Sequence, residues 1–398
     1  MSPSTSTTSP CIAIIGGGPS GLTLARILHL HNIRSVVFEL DASESARQQG
    51  GTLDLHAHTG QAALHAAGIY PQFEKVMRSS GEAFRLGDNK GRLVIDLPGD
   101  GTRNEPEVDR VQLRKILLQA LPEQAVHWGA KVTDVVPAPG GKGWAVEYAD
   151  ADGAPKSETF ELVVGADGAW SKVRRVLMDA RPHYSGVSGV ELCITAVDER
   201  QPELSKLVGM GSYFSVHNAA GLFVQRNGDG NVRVYVYGLT PEEWEETCGV
   251  DFNNAAEAKA AVLEQFLEEW DDKLKDLVRL ADDKVISRKL FMLPVGIRWE
   301  GKEGVTLMGD AAHLMTPFAG VGVNVAMWDA MTLGAAIVEH GEQGLAEAVK
   351  AYEAKMFPFA EENARETWVS LGITFNEDGL ESIFHKMQKE MKIRAANQ

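Results

Sequence analysis

Cysteine is scarce in this chain. Only three of its 398 residues are cysteine, Cys11, Cys193 and Cys248, and none belongs to a CxxC pair or a cysteine–histidine cluster. The three histidines between residues 56 and 65 lack the carboxylate partners that a metal site of this kind needs. These absences exclude a disulfide framework and a zinc-binding fold, predict no metal site, and favour a reducing compartment.

Long hydrophobic runs are also missing. The most apolar stretch, residues 321–338, is interrupted by Asn324 and Asp329, which is typical of a buried helix rather than a membrane span. The first ten residues are polar and show no basic segment followed by an apolar one, so we interpret 1–10 as a disordered tail and not as a secretory signal. We therefore expect a cytoplasmic protein with no stable membrane association.

Positive charge is in deficit. Thirty-nine lysines and arginines oppose 55 aspartates and glutamates, which leaves a formal net charge of −16. A protein with this charge repels nucleic acid and anionic membrane surfaces. We expect no nucleic-acid partner, and we expect a monomer that binds a small molecule.

The N-terminal part of the chain contains a glycine-rich turn between two strand patterns. Gly16, Gly18 and Gly21 form a GxGxxG motif after the apolar run at 11–15, and Glu39 ends the next apolar run. The glycines permit a tight turn and a close approach of the backbone to a pyrophosphate, and the following helix offers free amides to the phosphates. Glu39 is placed to accept hydrogen bonds from ribose hydroxyls. The motif predicts a dinucleotide but does not separate FAD from NAD.

Two later segments decide that choice in favour of a flavin. Asp167 follows the apolar run 162–164, and Asp310 follows the apolar run 305–308. Each acid stands where a strand ends and a helix begins, and Asp310 is suited to hydrogen-bond a ribityl chain. The glycine-rich loop after Asp310 and the helix start behind it can stabilise negative charge on a reduced flavin. Either carboxylate has the alternative role of an ordinary helix cap.

The remaining patterns predict an α/β protein in which a Rossmann-type FAD-binding domain is interrupted by an antiparallel sheet. Between residues 182 and 285 several alternating segments predict strands, and the Asn-Gly-Asp-Gly sequence at 227–230 is a strong hairpin signal. An apolar stripe near the C-terminus predicts a helix that bridges the body of the protein. The predicted boundaries are 1–10 for the tail, 11–75, 105–181 and 286–370 for the discontinuous FAD-binding domain, 76–104 and 182–285 for the substrate-binding domain, and 371–398 for the C-terminal helix.

Two longer runs carry a more specific resemblance. The run Gly50–His56 follows Arg47, and the run Gly309–Met315 is followed by Pro317–Gly320. Together with the three nucleotide segments, they make the chain resemble a class A, single-component flavoprotein monooxygenase of the para-hydroxybenzoate hydroxylase fold, from about residue 11 to residue 365. Within that class the chain most resembles the tetracycline-inactivating monooxygenases.

The resemblance implies one bound FAD and assigns its contacts. Arg110 would reach the cofactor from the start of its helix, with a solvated helix charge as the alternative, and for Arg114 the solvated charge is the favoured interpretation. Asp167 and Arg174 would support the middle of the cofactor. The implied cofactor residues are Gly16, Gly18, Gly21, Glu39, Arg47, Leu53, Asp54, Arg110, Asp167, Asp310, Gly320, Gly322, Val323 and Asn324.

The resemblance places the substrate between the sheet-rich insert and the loop that follows the third nucleotide segment. The chain departs here from the tetracycline enzymes: Ser212 stands where they have an arginine, Arg233 replaces a histidine, and Tyr235 replaces a glycine. Loss of a charged donor and filling of a glycine space both remodel a pocket, so the substrate is a tetracycline or another polycyclic or aromatic metabolite. The implied substrate residues are Phe214, His217, Phe223, Arg233, Tyr235, Pro317, Phe318 and Gly320.

The implied reaction is the insertion of one oxygen atom. Only one dinucleotide motif is visible in the sequence, so NADPH or NADH would dock transiently, reduce the flavin and leave. The flavin would then react with molecular oxygen to give a C4a-hydroperoxide that hydroxylates an electron-rich enolic or phenolic carbon, and no side-chain catalyst is required. The alternatives are a non-oxygenating flavin oxidoreductase on the same fold and a flavin- or drug-binding protein without turnover.

Overall fold

The computed structural model describes residues 11–46 and 50–396, with side chains through residue 392. Its strands are β1 (Ile12–Ile15), β2 (Ser35–Glu39), β3 (Thr52–Asp54), β4 (Phe84–Gly87), β5 (Leu93–Leu97), β6 (Glu107–Asp109), β7 (Val126–Trp128), β8 (Lys131–Pro137), β9 (Trp144–Ala149), β10 (Pro155–Phe160), β11 (Leu162–Gly165), β12 (His183–Ile194), β13 (Ser212–His217), β14 (Ala220–Arg226), β15 (Val232–Leu239), β16 (Ile286–Met292) and β17 (Val305–Leu307). Its α-helices are α1 (Pro19–Leu30), α2 (Ala62–Ala66), α3 (Tyr70–Phe73), α4 (Arg110–Gln119), α5 (Arg174–Leu177), α6 (Val197–Arg200), α7 (Pro202–Val208), α8 (Trp244–Thr247), α9 (Ala255–Leu267), α10 (Asp272–Arg279), α11 (Asp310–His313), α12 (Gly322–His340), α13 (Leu345–Thr374) and α14 (Gly379–Ala396). Short 3-10 turns lie at Ser79–Glu82, Glu123–Ala125, Pro317–Ala319 and Glu342–Gly344, and a π-helical turn lies at Ala57–Gln61.

A five-stranded parallel sheet carries the nucleotide motifs. Its order is β17-β11-β1-β2-β7, and Ile12 of β1 pairs with Leu162 of β11 on one side and with Ser35 of β2 on the other. Because the strands are parallel, the turns that follow β1, β2, β11 and β17 lie along one edge of the sheet, which we call the nucleotide edge. This arrangement confirms the predicted Rossmann-type α/β architecture.

The parallel strands are buried on both faces. Ile12, Ile14 and Val163 have no exposed surface, as expected for short, continuous apolar runs in a sheet covered on both sides. The apolar stretch 321–338 forms most of the helix α12, whose Met327 belongs to the same core. Within the described ranges, no helix is both long and apolar enough to cross a membrane.

A seven-stranded sheet of order β16-β12-β15-β14-β13-β4-β5 forms the second unit, and only its β13–β4 pair is parallel. Side chains of its central strands alternate between two faces: Val190 and Val234 pack with residues of α9 and α10 on one face, whereas Phe223 and Tyr235 lie on the other face. The hairpin predicted at 227–230 connects β14 to β15 and is confirmed. Both segments predicted for the substrate-binding domain contribute strands to this sheet, and so does β16, which lies in the segment 286–370 predicted for the FAD-binding domain.

The fold differs from the sequence prediction in several places. Residues 131–160 form a separate three-stranded antiparallel sheet of order β10-β9-β8, inside the segment 105–181 that the sequence assigns to the FAD-binding domain without a sheet of its own. The 30-residue helix α13 contains Pro358. A proline normally ends or kinks a helix, so the sequence does not predict a continuous helix here.

The C-terminal helix α14 lies across the second sheet. Leu380 and Ile383 of α14 pack against a cluster that includes Phe375. The helix begins at Gly379, later than the predicted residue 371, because α13 occupies the chain as far as Thr374.

Candidate active site

The turn after β1 brings two stretches of backbone into direct contact. Gly16 has a φ of +112°, and a Cβ there would lie 2.2 Å from the carbonyl oxygen of Ala166. A Cβ at Gly21 would lie 2.0 Å from the Gly16 oxygen. A Cβ at Gly18 would have no protein atom within 4 Å. The fold therefore requires glycine at 16 and 21, whereas Gly18 leaves the start of α1 open.

Glu39 is buried at the end of β2. Its Oε2 accepts a hydrogen bond from the Gly17 amide at 2.6 Å, and its Oε1 accepts one from the Asp41 amide at 2.9 Å. Arg114 is also buried, and its Nη1 lies 2.9 Å from Asp41 Oδ2. The interpretation of Arg114 as a solvated helix charge is wrong, because its guanidinium is enclosed and paired.

Asp167, after β11, organises the following turn with one of its two oxygens. Its Oδ2 accepts a hydrogen bond from the Lys172 amide at 2.6 Å, whereas its buried Oδ1 has no partner in the described part of the chain. Burial raises the pKa of Asp167 despite the hydrogen bonds that it accepts. Arg174 ties this turn to the next one, since its Nη1 donates to the Ala311 carbonyl at 3.0 Å. Asp167 thus holds the backbone amide of Lys172 with Oδ2, and its Oδ1 makes no hydrogen bond to the described residues.

The turn after β17 presents Asp310 at the nucleotide edge. Its side chain is exposed, and across residues 11–46 and 50–396 no hydrogen bond to it is found. Neighbouring protein atoms nevertheless desolvate the carboxylate, which raises the pKa of Asp310, while the charges of His313 and Arg110 act in the opposite direction. Asp310 therefore lies accessible at the nucleotide edge, where its carboxylate can accept hydrogen bonds from hydroxyl groups of a ligand.

Behind Asp310 lies a buried pair that the sequence analysis does not predict. His313 Nε2 lies 2.6 Å from Asp329 Oδ2, and the Gly309 amide donates to the same oxygen at 2.8 Å. Asp329 has no exposed surface, and His313 is 5% exposed. The signal that could have found Asp329 is a lone carboxylate inside the apolar stretch 321–338.

Asn324, near the start of α12, holds the segment that follows β3. Its Nδ2 donates to the Asp54 carbonyl at 2.9 Å, and its Oδ1 accepts from the His56 amide at 2.8 Å. Gly320 adopts a φ of +69°, and a Cβ there would lie 3.7 Å from Asp54 Oδ2. The structure brings Asp54, Gly320 and Asn324 together as predicted site residues, but the amide of Asn324 is engaged by the protein itself.

The other predicted cofactor residues differ in their accessibility. A Cβ at Gly322 would meet no protein atom within 4 Å. The side chain of Arg110 is exposed at the start of α4. Leu53 is buried in the core, and Val323 packs against that core. Arg47 lies outside the described residues.

These features fit a bound FAD. Neither α1 nor α12 has a side-chain cap at its N-terminus, so backbone amides are free to meet phosphate or flavin oxygens. The carboxylate of Asp310 is available for a polyol chain, and the exposed guanidinium of Arg110 supplies a positive charge nearby. The nucleotide edge therefore offers donors to the charged part of a dinucleotide and an acceptor to its hydroxyl groups.

The second sheet contributes an aromatic surface. The rings of Phe214 and Phe223 have centroids 5.0 Å apart, and Phe223 lies 5.6 Å from Phe318. Phe318 in turn lies 4.9 Å from Phe375. Because Phe318 belongs to the loop between α11 and α12, this cluster joins the second sheet to the nucleotide edge.

A buried charge cluster lies on the same face of the second sheet. Glu191, 6% exposed, accepts hydrogen bonds from Arg288 Nη2 at 2.8 Å and from Arg233 Nη1 at 3.4 Å. The Nε of Arg233 is buried, and the described residues provide no partner for it. A Cβ at Gly51 would lie 3.1 Å from the hydroxyl of Tyr235. The segment before β3 therefore meets the second sheet at Tyr235, next to the charge cluster.

His217 does not join the other predicted substrate residues. Side chains alternate along β13, so His217 and Phe214 point to opposite faces of the sheet. The Nε2 of His217 lies 3.0 Å from Glu269 Oε2, beyond the end of α9. This placement argues against the substrate role that the resemblance implies for His217. Pro317 is exposed beside Phe318.

Comparison with known proteins agrees with an FAD site at the nucleotide edge. The family profile for the FAD binding domain matches residues 9–367. Monooxygenase penA of Penicillium thymicola is 31% identical over 94% of this chain and 97% of its own length. The HpxO structure of Klebsiella pneumoniae with FAD and uric acid has a TM-score of 0.76 at 20% identity, covering 97% of this chain and 95% of that one. Tetracycline destructase Tet(51) has a TM-score of 0.69 at 19% identity, with 97% of each chain covered. The two structural likenesses establish the fold alone.

Proposed function

The chain belongs to the FAD binding domain family and is an FAD-dependent monooxygenase, and from this premise we propose that it hydroxylates a polycyclic aromatic or enolic small molecule with molecular oxygen and NADPH or NADH. Bound FAD supplies the redox and oxygen-activating chemistry. The residues of the chain bind the substrate, orient it, and keep water away from the reacting atoms.

The aromatic surface supports a flat substrate. Phe214, Phe223 and Phe318 are in mutual contact as a chain of rings, and Tyr235 stacks on Tyr237 with centroids 6.1 Å apart. Aromatic rings bury large flat areas at low conformational cost and prefer other rings as partners. This surface lies on the face of the second sheet that meets the loop of Phe318, which is where the resemblance places the substrate.

The charge cluster supports an enolic or phenolic group on that substrate. Ser212 pairs with Gln225, and Gln225 pairs with Arg233, so these three residues lie on the same face of three neighbouring strands. By the resemblance, the cation that tetracycline enzymes carry at the position of Ser212 is lost there, and Arg233 supplies a cation two strands away, at about 10 Å. Two guanidinium groups oppose one carboxylate at Glu191, which leaves positive charge for an ionised oxygen of the substrate. Tetracyclines and smaller polycyclic phenols both carry such oxygens.

Substrate-stimulated oxygen uptake tests this proposal. Holoenzyme with NADPH or NADH is screened against tetracycline and a set of polycyclic phenols, and product masses are measured. We expect uptake coupled to a gain of one oxygen atom in at least one compound. Oxidation of NADPH or NADH that no compound stimulates, or that yields only hydrogen peroxide, would contradict the proposal.

Substitution of Arg233 tests the substrate side separately from the cofactor side. In Arg233→Gln we expect KM for an active phenol to rise about tenfold, since a charge-assisted hydrogen bond is lost, with FAD content unchanged. The matched control is Arg288→Gln, which removes the other, more exposed guanidinium from Glu191. An equal rise in KM in both variants would mean that the cluster as a whole, and not Arg233, serves the substrate.

A further inference from the structure

Asp329 binds both ends of the one-turn helix α11 from inside α12. Its Oδ2 accepts the Gly309 amide just before α11 and lies against the ring of His313 at its end, at 2.8 Å and 2.6 Å. Its Oδ1 is buried, and none of the described residues provides a hydrogen bond to it. A buried, half-satisfied carboxylate costs about 1–3 kcal/mol, and an apolar residue of similar size often stabilises a core better. A contribution to the stability of the folded protein therefore does not explain why residue 329 is an aspartate.

The two hydrogen-bonding contacts of Asp329, with Gly309 and His313, lie on either side of Asp310 in the sequence. Gly309 has a φ of +59°, and a Cβ there would lie 3.2 Å from the Cβ of Ala326. The backbone therefore passes very close to α12 at this point. With the start and the end of a four-residue turn both attached to one buried oxygen, Asp310 has little freedom to turn away from the nucleotide edge.

Acidic and basic side chains follow one another around this turn: His313 lies between Asp310 and Asp329. Desolvation lowers the pKa of His313, but the charge and hydrogen bond of Asp329 and the charge of Asp310 outweigh it, so the pKa is raised. The charged groups facing Asp310 are His313 on its own helix and Arg110 from α4. On the far side of Asp329 the neighbour is Tyr352 of α13, whose hydroxyl donates to the Leu307 carbonyl at 2.9 Å.

We propose that Asp329 is a positioning residue for FAD, which acts through Gly309 and His313 at the two ends of α11 to direct the carboxylate of Asp310 at the polyol chain of the cofactor. Asp329 does not touch FAD itself. It determines both the geometry and the charge of the group that does.

The test is the pH dependence of FAD binding in Asp329→Asn. Asparagine keeps an oxygen for the Gly309 amide but removes the charge that holds a proton on His313, so the turn is preserved and the electrostatic support of Asp310 is lost. With a neutral His313, the pKa of Asp310 rises further, and FAD affinity is lost at a higher pH as the pH falls. We expect the pH at which affinity has fallen by half to move up by about one unit, measured by FAD fluorescence during titration of the apoprotein between pH 5 and 9.

Two further variants make the result decisive. Glu353→Gln is the matched control, because Glu353 is a buried carboxylate that accepts hydrogen bonds from Trp299 and Thr306 at 2.9 and 2.8 Å without contacting α11. We expect its pH profile of FAD binding to equal that of the wild type. His313→Gln removes the positive charge and leaves the anion of Asp329 in place, so we expect a shift in the same direction and at least as large, which keeps the test valid if Asp329→Asn fails to fold. A wild-type profile in His313→Gln, or an equal shift in Glu353→Gln, would overturn the proposal.

Discussion

At the scale of single residues, two glycines of the first turn are needed for different reasons: Gly16 for the fold and Gly18 for access to the start of α1. A Cβ at Gly16 would collide with the Ala166 carbonyl, whereas a Cβ at Gly18 would meet only open space. We expect Gly16→Ala to destabilise the apoprotein by more than about 2 kcal/mol, because φ is positive and backbone must move. We expect Gly18→Ala to leave the apoprotein stable but to weaken FAD binding, because the added methyl occupies the approach of the phosphates.

Urea unfolding of the apoproteins and FAD titration separate these two effects. Gly168, where a Cβ also meets no protein atom within 4 Å but φ is +75°, is the control for backbone strain without steric contact. If Gly18→Ala destabilised the apoprotein as much as Gly16→Ala, the assignment of Gly18 to the cofactor would fail.

Glu107 gives a second prediction at this scale. It is buried in β6, pairs across the ribbon with Asp54, and accepts a hydrogen bond from Thr52 Oγ1 at 2.6 Å. Burial, with the charge of Asp54 added, raises the pKa of Glu107 from its usual 4.5 to about 8. Between these values the folded protein holds a proton that the unfolded chain releases. The stability contribution of Glu107 is therefore complete below about pH 4.5 and is lost as the pH rises to about 8.

We expect this loss to amount to at most about 1.4 kcal/mol for each pH unit in that window, and to disappear in Glu107→Gln, which cannot ionise. Urea unfolding at intervals from pH 5 to 8.5 measures the slope for both proteins. An unchanged slope in Glu107→Gln would assign the pH dependence to other groups.

Sequence reasoning succeeded for residues whose role depends on their own backbone and failed for residues whose role depends on a distant partner. Gly16 and Gly21 follow from a local motif, and the structure shows why no side chain fits there. The roles of Asp329 and Glu191 exist only because the fold brings residues 313 and 233 beside them. The misplacement of His217 has the same origin, since one step along a strand changes the face on which a side chain lies.

At the scale of elements, strand alternation and the glycine turns are local signals, so the parallel sheet and the β14–β15 hairpin could be predicted from sequence. The helix α13 could not, because Pro358 interrupts the pattern and tertiary packing overrides this local signal. Its length matters for function, since its C-terminal end delivers Phe375 to the aromatic cluster.

The helix α14 provides the prediction at this scale. Leu380 and Ile383 are partly buried against the cluster that contains Phe375. We expect the double variant Leu380→Ala/Ile383→Ala to lose about 2–3 kcal/mol of unfolding free energy, roughly half the value for full burial of two such side chains, while FAD content stays constant. Glu381→Ala, on the exposed side of the same helix, is the control. Loss of FAD in the double variant would show that α14 supports the nucleotide edge rather than the second sheet alone.

At the scale of the whole molecule, the cofactor could be predicted from sequence and the substrate could not. The turns that we expect to hold FAD, at the ends of β1, β2, β11 and β17, repeat recognisable backbone patterns. The proposed substrate face consists of single side chains on β12 to β16, whose identity follows no sequence pattern. Arg233 shows the difficulty: its relation to Ser212 is visible only when the strands are paired.

The nucleotide edge is assembled from segments around residues 16, 167 and 310, so FAD bound there would contact parts of the chain that are far apart in sequence. Binding to the folded state alone stabilises it by about 2.7 kcal/mol when FAD is present at 100 times Kd. We expect this gain in the wild type and in Ser212→Ala, and a much smaller gain at the same FAD concentration in Asp310→Ala, whose Kd is raised. Thermal unfolding at several FAD concentrations measures it. Ser212 is buried and Asp310 is exposed. Equal gains in both variants would mean that Asp310 does not bind the cofactor, and the proposed positioning role of Asp329 would then fail as well.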